Sequence, residues 1–328
     1  MAISTLDPGP LYVRELSAER GRLRLVGRDA KRFLHGMVTN DITGLAPGRG
    51  CHAAMLTVKG KLLSILCVYD CGEDGLLIEL PAATTEVIRS ALDRYLITDD
   101  ATLSDASSEL AELGVYGTEA EAALQALGAA VAGLPPYHFV SADIPAGRVR
   151  IARTPELGIP GFHLLAAKET LAEAQATLIT KGAVELSADR AEILRVEAGI
   201  PRFGVDVDEE RMPSEARLED VFSPTKGCYL GQEVVVRLRD RGQLNRQLVG
   251  LRLPAAVASP PAGTRLAHPS RANAGHLTSV VCSPRFSFIA LGYVHRSVWE
   301  PGTELQLVSA EGEPLGQTAV VCALPFAA

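Results

Sequence analysis

An α+β architecture, two mixed α/β units followed by a small antiparallel β-barrel, is predicted by three features of this sequence. From residue 22 to about 101, short strands alternate with single helices and hairpins. The section from 112 to Ala198 repeats that grammar, which is the pattern of split β-α-β, ferredoxin-like units. From Arg246 onward helical periodicity vanishes, and closely spaced apolar runs are separated by Pro, Gly, Ser and Asn, as in a small barrel. A chain of 328 residues is too long for one ordinary core, and these features divide it into an α/β region over 1–245 and a barrel over 246–328.

The elements follow in order. Residues 22–26, Arg-Leu-Arg-Leu-Val, alternate polar and apolar as a strand that Gly27 ends. Asp29 is placed to cap a helix whose Ala30, Phe33, Leu34, Met37 and Val38 form one apolar stripe. The stripe stops at Thr39-Asn40-Asp41, where Asn40 and Asp41 are common turn-formers and also polar side chains presented beside a core. Residues 52–58 and 62–69 form a hairpin about Lys59-Gly60-Lys61, 76–80 add a strand, Thr84–Leu96 a helix, and another strand begins near Ala101. In the second unit, strands at 112–116, 148–153 and 162–166 accompany helices over Glu119–Leu127 and Lys168–Thr180, with a loop-rich region from Gly133 to Pro145. Ser187 caps a helix through Ala198. In its last turn Glu197 sits against the helix dipole, which favours cations there, so its carboxylate either has a task or is simply solvated. The polar, turn-rich stretch from Pro201 to Pro224 reads as a surface excursion. The barrel runs are 247–253, 263–267, 275–282, 286–294, 303–308 and 315–322, with Pro254–Gly263 as a loop.

Composition narrows the function classes. Lysine plus arginine is 32 and aspartate plus glutamate 39, a net charge of −7, which disfavours a nucleic-acid partner. No apolar run approaches the ~20 residues that cross a bilayer, and the amino terminus lacks a charged-then-apolar leader, so no membrane partner and a soluble, cytoplasmic protein are expected. The cysteines at 51, 67, 71, 228, 282 and 322 include no Cys-x-x-Cys pair, and the histidines are scattered, so no metal site is expected. No G-x-S-x-G, H-E-x-x-H, P-loop or dinucleotide fingerprint is present.

One stretch concentrates chemistry. Lys226-Gly227-Cys228-Tyr229-Leu230-Gly231-Gln232-Glu233 sets a thiol, a lysine, an amide and a carboxylate among glycines. Glycines flanking a cysteine predict a tight turn, and Val234, Val235 and Val236 after it read as a buried strand. Along such a strand Arg237, Arg239 and Arg241 share one face, suited to an anionic ligand or to water alone. Lys226 and these arginines favour thiolate at Cys228, which makes nucleophilic or redox chemistry possible; the plainer alternative is a small cysteine packed at a turn.

The same octapeptide resembles the signature of YgfZ-type folate-binding proteins, relatives of the aminomethyltransferase of the glycine cleavage system: Lys226, Gly227, Cys228, Tyr229, Gly231, Gln232 and Glu233 all match. Phe33–Asp41, Lys59–Lys61, Arg195–Pro201 and Gly275–Ser279 resemble further segments of that family, so the similarity covers nearly the whole chain. The resemblance implies a GcvT/YgfZ-like fold, two partly interwoven α/β units and a carboxy-terminal barrel in a ring around a folate cavity. It implies tetrahydrofolate, or a one-carbon derivative, as cofactor. In relatives a carboxylate matching Glu197 helps to hold the pterin, the Asn40-Asp41 region lies near the cavity, and a basic residue such as Arg237 faces the glutamate tail. Lys226, Gly227, Tyr229, Gly231, Gln232 and Glu233 are carried over as folate-site candidates and Cys228 as the working thiol. Where the glycine-cleavage enzyme has a pair of aspartates, one of them catalytic, this chain has Leu63 and Ser64, and leucine cannot move a proton. The expectation is therefore a folate-binding protein that supports assembly or repair of iron–sulfur enzymes, with assembly factors or client proteins as partners. The rivals are a one-carbon transferase that uses a different acid and a regulatory scaffold that binds no folate.

Overall fold

Two sheets of matching strand order lie face to face, with helices on their outer sides. The structure, a computed structural model, describes residues 10–327 except 243, 255–259, 310 and 311, and the side chains of 238–241 also lie outside the description. The chain begins with β1 (Tyr12–Glu15), then β2 (Arg20–Val26), α1 (Ala30–Met37), β3 (Gly50–Leu56), β4 (Leu62–Asp70), β5 (Leu76–Pro81), α2 (Thr85–Tyr95) and β6 (Thr102–Asp105). It continues through β7 (Ala111–Tyr116), α3 (Ala120–Gln125), β8 (Phe139–Ile144), β9 (Gly147–Thr154), β10 (Gly161–Ala166), α4 (Lys168–Thr180), β11 (Val184–Glu185) and α5 (Ala188–Glu197).

The first sheet has the order β3-β4-β5-β2-β6 and the second β8-β9-β10-β7-β1-β11. The second is the first repeated, with β1 inserted antiparallel to β7 and parallel to β11. A strand that precedes the first unit in sequence thus completes the second, and this exchange interweaves the two. Four residues are too few to show a period, which is why β1 escapes a reading of the sequence. The expected loop between Gly133 and Pro145 in fact holds β8, an edge strand bonded to β9. The flanking prolines and Gly133 mask its short alternation.

Alternate residues of each strand serve two layers. Leu23, Leu25, Leu66, Val68 and Ile78 pack outward against α1 and α2, and Leu113, Val115, Phe162 and Leu164 pack outward against α3 and α4. The inward residues meet across the sheets: Tyr69 and Leu77 touch Phe139, Ala152 and Leu165. Asp29 stands at the N-cap of α1 without bonding it; its carboxylate instead accepts from the Asp100 N–H at 2.9 Å, tying α1 to the strand that follows α2. Ser187 caps α5 as expected, accepting from the Arg190 N–H at 3.2 Å.

After α5 come an irregular stretch and α6 (Gln232–Arg241). The remaining strands are β12 (Arg246–Arg252), β13 (Arg265–His268), β14 (Arg271–Ser283), β15 (Ser287–His295), β16 (Glu304–Val308) and β17 (Pro314–Cys322). They close an antiparallel barrel in the order β12-β15-β14-β13-β16-β17, sealed by the β12–β17 pairing. Half of the loop expected at Pro254–Gly263, residues 255–259, falls outside the described residues. The units meet in one apolar core: Ala54, Leu56 and Leu62 of the first hairpin pack with Val196 of α5, Val207 and Val221 of the irregular stretch, and Leu248, Ile289, Tyr293 and Phe326 of the barrel. A polar clasp backs that core. Buried Asp206 accepts from Arg195 at 2.7 Å, Thr278 at 2.5 Å and Ser279 at 2.7 Å, fixing α5 to the barrel wall.

Candidate functional site

The signature loop is moored to the end of α1. Val38, at the C-cap of α1, is extended (φ −120°, ψ 165°), so the helix lacks the left-handed glycine that usually satisfies its last carbonyls. The Lys226 amine takes that place, donating to the carbonyls of His35 (2.5 Å), Val38 (2.5 Å) and Asn40 (3.0 Å). A cation at the negative end of a helix is also well placed against its dipole. Burial pulls the Lys226 pKa down to about 8, opposed by the charges of Asp41 and Cys51. The Tyr229 ring lies 5.0 Å from the ammonium, and Leu230 N–H bonds the Gly36 carbonyl at 3.0 Å.

Beyond Leu230 the expected strand does not form. Residues 234–236 lie in α6, so the three valines are helical and Arg237 is an exposed helical residue. Alternation along a strand would align Arg237, Arg239 and Arg241, but the side chains of Arg239 and Arg241 lie outside the described residues. A β-branched run favours strand locally, but here the Gly231 turn and the hairpin beneath it decide. Gly231 has φ +80°, and a Cβ there would stand 2.3 Å from the Thr57 carbonyl oxygen. Gly60, at the hairpin tip with φ +72°, receives Val234 from the other side, 3.0 Å from where its own Cβ would be. Two glycines thus let α6 dock on the hairpin. The Gln232 side chain folds back to accept from the Tyr229 N–H at 3.1 Å, and exposed Glu233 occupies the first turn of α6, where its charge suits the dipole. Cys228 is a free thiol, exposed at the crest of this anchored loop.

Asn40 and Asp41 join the same place. The Asn40 amide donates to the carbonyls of His52 (2.7 Å) and Asp220 (3.1 Å), and its oxygen accepts from the Asp41 N–H. Asp41 accepts from Thr43 Oγ1 and the Gly44 N–H; burial pushes its pKa up, but these bonds and the nearby His35 and Lys226 leave it lowered. Beside them is a group that a reading of the sequence missed. His52 Nδ1 lies 2.7 Å from Asp220 Oδ2, Tyr137 donates to the same oxygen at 3.1 Å, and the His52 and Tyr137 rings stack at 5.0 Å. Tyr137 holds φ +62°, a left-handed conformation rare outside glycine. No local signal pairs residues 52, 137 and 220; the strained tyrosine was visible only as the third residue of Pro135-Pro136-Tyr137.

Glu197 stands apart from these residues and is not solvated. It is 6% exposed, accepts from Ser283 Oγ at 2.6 Å and faces Arg285 at 3.3 Å. It lines a cavity of about 260 Å³ with Leu157, Ile159, Ile193, Ile200 and Phe326. At the hairpin, Leu63 borders an apolar hollow with Met55, Leu56 and Leu230, while Ser64 is buried and shares a 2.7 Å hydrogen bond with Thr84. Neither position offers a carboxylate.

An ionic layer between the sheets is a further concentration of titratable groups. His163 Nδ1 lies 2.8 Å from Glu112 and 3.5 Å from Glu79, and its Nε2 lies 2.8 Å from Glu156. Both ring nitrogens therefore face carboxylates, and the pKa is raised: burial lowers it, but Tyr116, Glu156 and Glu112 together outweigh burial. Glu79, Glu112 and His163 are close enough to hold a metal ion, yet Arg22 pairs with Glu112 at 3.3 Å, Arg20 with Glu79 at 3.5 Å and Arg20 with Glu156. With His163 protonated, the three carboxylates of this layer face three cations.

Comparison with known proteins places most of the chain. Residues 17–226 match the model of the GCVT N-terminal domain, and 246–327 that of the glycine cleavage T-protein C-terminal barrel domain. An aminomethyltransferase from Chloroherpeton thalassium is 28% identical over 312 residues, covering 93% of this chain and 84% of its own length. One from Prochlorococcus marinus is 30% identical over 321 residues, with the same coverages of 93% and 84%. The crystal structure of the glycine cleavage system aminomethyltransferase T from Bartonella henselae superposes with a TM-score of 0.85 at 20% identity, covering 97% of this chain and 87% of that one.

Proposed function

Because the chain belongs to the glycine cleavage T-protein family, we propose that it binds tetrahydrofolate, or a one-carbon derivative of it, in the cavity that ends at Glu197. The observation that carries this reading is the buried carboxylate itself, lodged in a hollow lined by apolar side chains together with Arg190 and Arg285, with one oxygen only loosely held. A planar heterocycle with adjacent N–H donors complements such an acceptor, and apolar walls suit its ring. Titration calorimetry with folinic acid tests it: the protein should bind and Glu197→Ala should not, whereas no heat from either identifies a scaffold that takes no folate.

The names of the relatives favour folate-dependent one-carbon transfer as the use of that folate. The mechanism would need an acid other than the missing aspartate pair, since Leu63 is apolar and Ser64 is buried against Thr84. Release of methylene-tetrahydrofolate from an aminomethyl donor by the purified protein would establish it. The signature loop favours a second reading, support of iron–sulfur enzyme assembly or repair, because Cys228 is an exposed thiol on a segment anchored on both sides. Full rescue of iron–sulfur enzyme activity by Cys228→Ala in a deletion strain would remove the thiol from that role.

A further inference from the structure

The contact between Glu197 and Arg285 is unequal. Glu197 is buried, and its Oε1 is held by Ser283 at 2.6 Å, while Oε2 faces the Arg285 Nη1 at a long 3.3 Å. The Arg285 side chain is 50% exposed. It sits in the short turn between β14 and β15, its guanidinium 4.8 Å from the Phe286 ring centroid. If the two separate, the arginine regains water at once, whereas the buried carboxylate loses the hydrogen bond to Oε2. The carboxylate needs a planar N–H donor; this donor does not need the carboxylate.

A guanidinium also has a close chemical counterpart among ring systems. The 2-amino-pyrimidinone edge of a pterin presents the same N–C–N arrangement, with adjacent N–H groups in one plane, and pairs with a carboxylate in the same forked manner. We propose that Arg285 is an internal stand-in for the ligand: it occupies Glu197 in the empty protein and is displaced by any cyclic guanidine that enters the cavity. Arg285 then weakens every ligand that must displace it by the same factor. A ring lacking the amino donor offers the carboxylate one N–H fewer than a pterin and binds more weakly whether or not the arginine is present. The inference rests on the reading that folate enters at Glu197.

Binding of pterin and of lumazine, its 2-oxo counterpart, is measured by calorimetry with the wild type, Arg285→Ala, Arg285→Lys and Glu197→Gln. The turn position and exposure of Arg285 leave the fold intact on substitution, which circular dichroism verifies. Pterin should bind Arg285→Ala about threefold to tenfold more tightly than wild type, the span set by a half-exposed ion pair. Arg285→Lys, which keeps the charge and loses the planar guanidinium, should fall between. In a Glu197→Gln background the Arg285→Ala gain should disappear, and lumazine should gain from Arg285→Ala by the same factor as pterin. Pterin binding to the wild type with equal or weaker binding to Arg285→Ala overturns the stand-in and leaves the folate reading in place. Absence of pterin binding to both overturns the two together.

Discussion

The Lys226 ammonium lies 2.5 Å from the carbonyl oxygen of Val38, 188 residues earlier in the chain. Together with the bonds to His35 and Asn40 it makes the signature lysine a cap for α1 and places the Cys228 loop on the same surface as Asn40 and Asp41. Replacing it with methionine leaves partly buried carbonyls without a donor. We expect Lys226→Met to lower stability by about 2–3 kcal/mol in urea unfolding, and to increase hydrogen exchange at the Leu230 amide, whose bond to Gly36 depends on the mooring.

The glycines on either side of Cys228 should differ sharply. Gly231→Ala puts a Cβ against the Thr57 carbonyl at a backbone φ of +80°, and should cost about 1–3 kcal/mol. A Cβ at Gly227 meets nothing within 4 Å, so Gly227→Ala should fold with the wild-type urea midpoint. Equal losses at the two positions would contradict the docking of the turn on the hairpin.

His163 sets a pH dependence. Its folded pKa is raised above the ordinary 6.5 by the carboxylates that outweigh burial, so the folded chain binds more protons than the unfolded chain over the window above that value. Its contribution is fully present below pH 6.5 and is lost as pH rises through the folded pKa. Urea midpoints measured from pH 6 to 9 should fall more steeply for the wild type than for His163→Gln, and nitrogen NMR of the imidazole should show both ring nitrogens protonated at pH 7.

Asp206 should be among the costliest polar side chains to truncate. Arg195, Thr278 and Ser279 all donate to it in a buried setting. Asp206→Ala leaves the Arg195 charge without that partner, and a loss of about 3–5 kcal/mol is expected. Thermal unfolding should show the barrel and α5 losing their common transition.

Arg22 and Glu112 show how local pattern and long-range partner diverge. Each opens the alternating run of the first strand in its repeat, one visible as Arg-Leu-Arg-Leu-Val and the other as Glu-Leu-Gly-Val-Tyr. The strands themselves were legible, since the period of two is written in those residues. That the two side chains form a buried pair at 3.3 Å was not. The valines after Gly231 show the opposite failure: their local preference for strand was clear, and it gave way to the contacts that Gly60 and Gly231 make possible.

By itself the sequence determined the three-part architecture, the hairpin at Lys59–Lys61, the helices read at Thr84–Leu96 and Lys168–Thr180, the barrel and the octapeptide that carries Cys228. These are set by periodicity, turn chemistry and a contiguous motif, all of which act between residues close in the chain. Only the tertiary structure decided that β1 completes the second sheet, that Lys226 is spent on the end of α1, that His52, Tyr137 and Asp220 meet, and that Glu197 is buried against Arg285. Each of these joins residues tens to hundreds of positions apart. A hydrogen bond or ion pair of that kind depends on two surfaces being brought together, and neither partner's neighbours in sequence record the other.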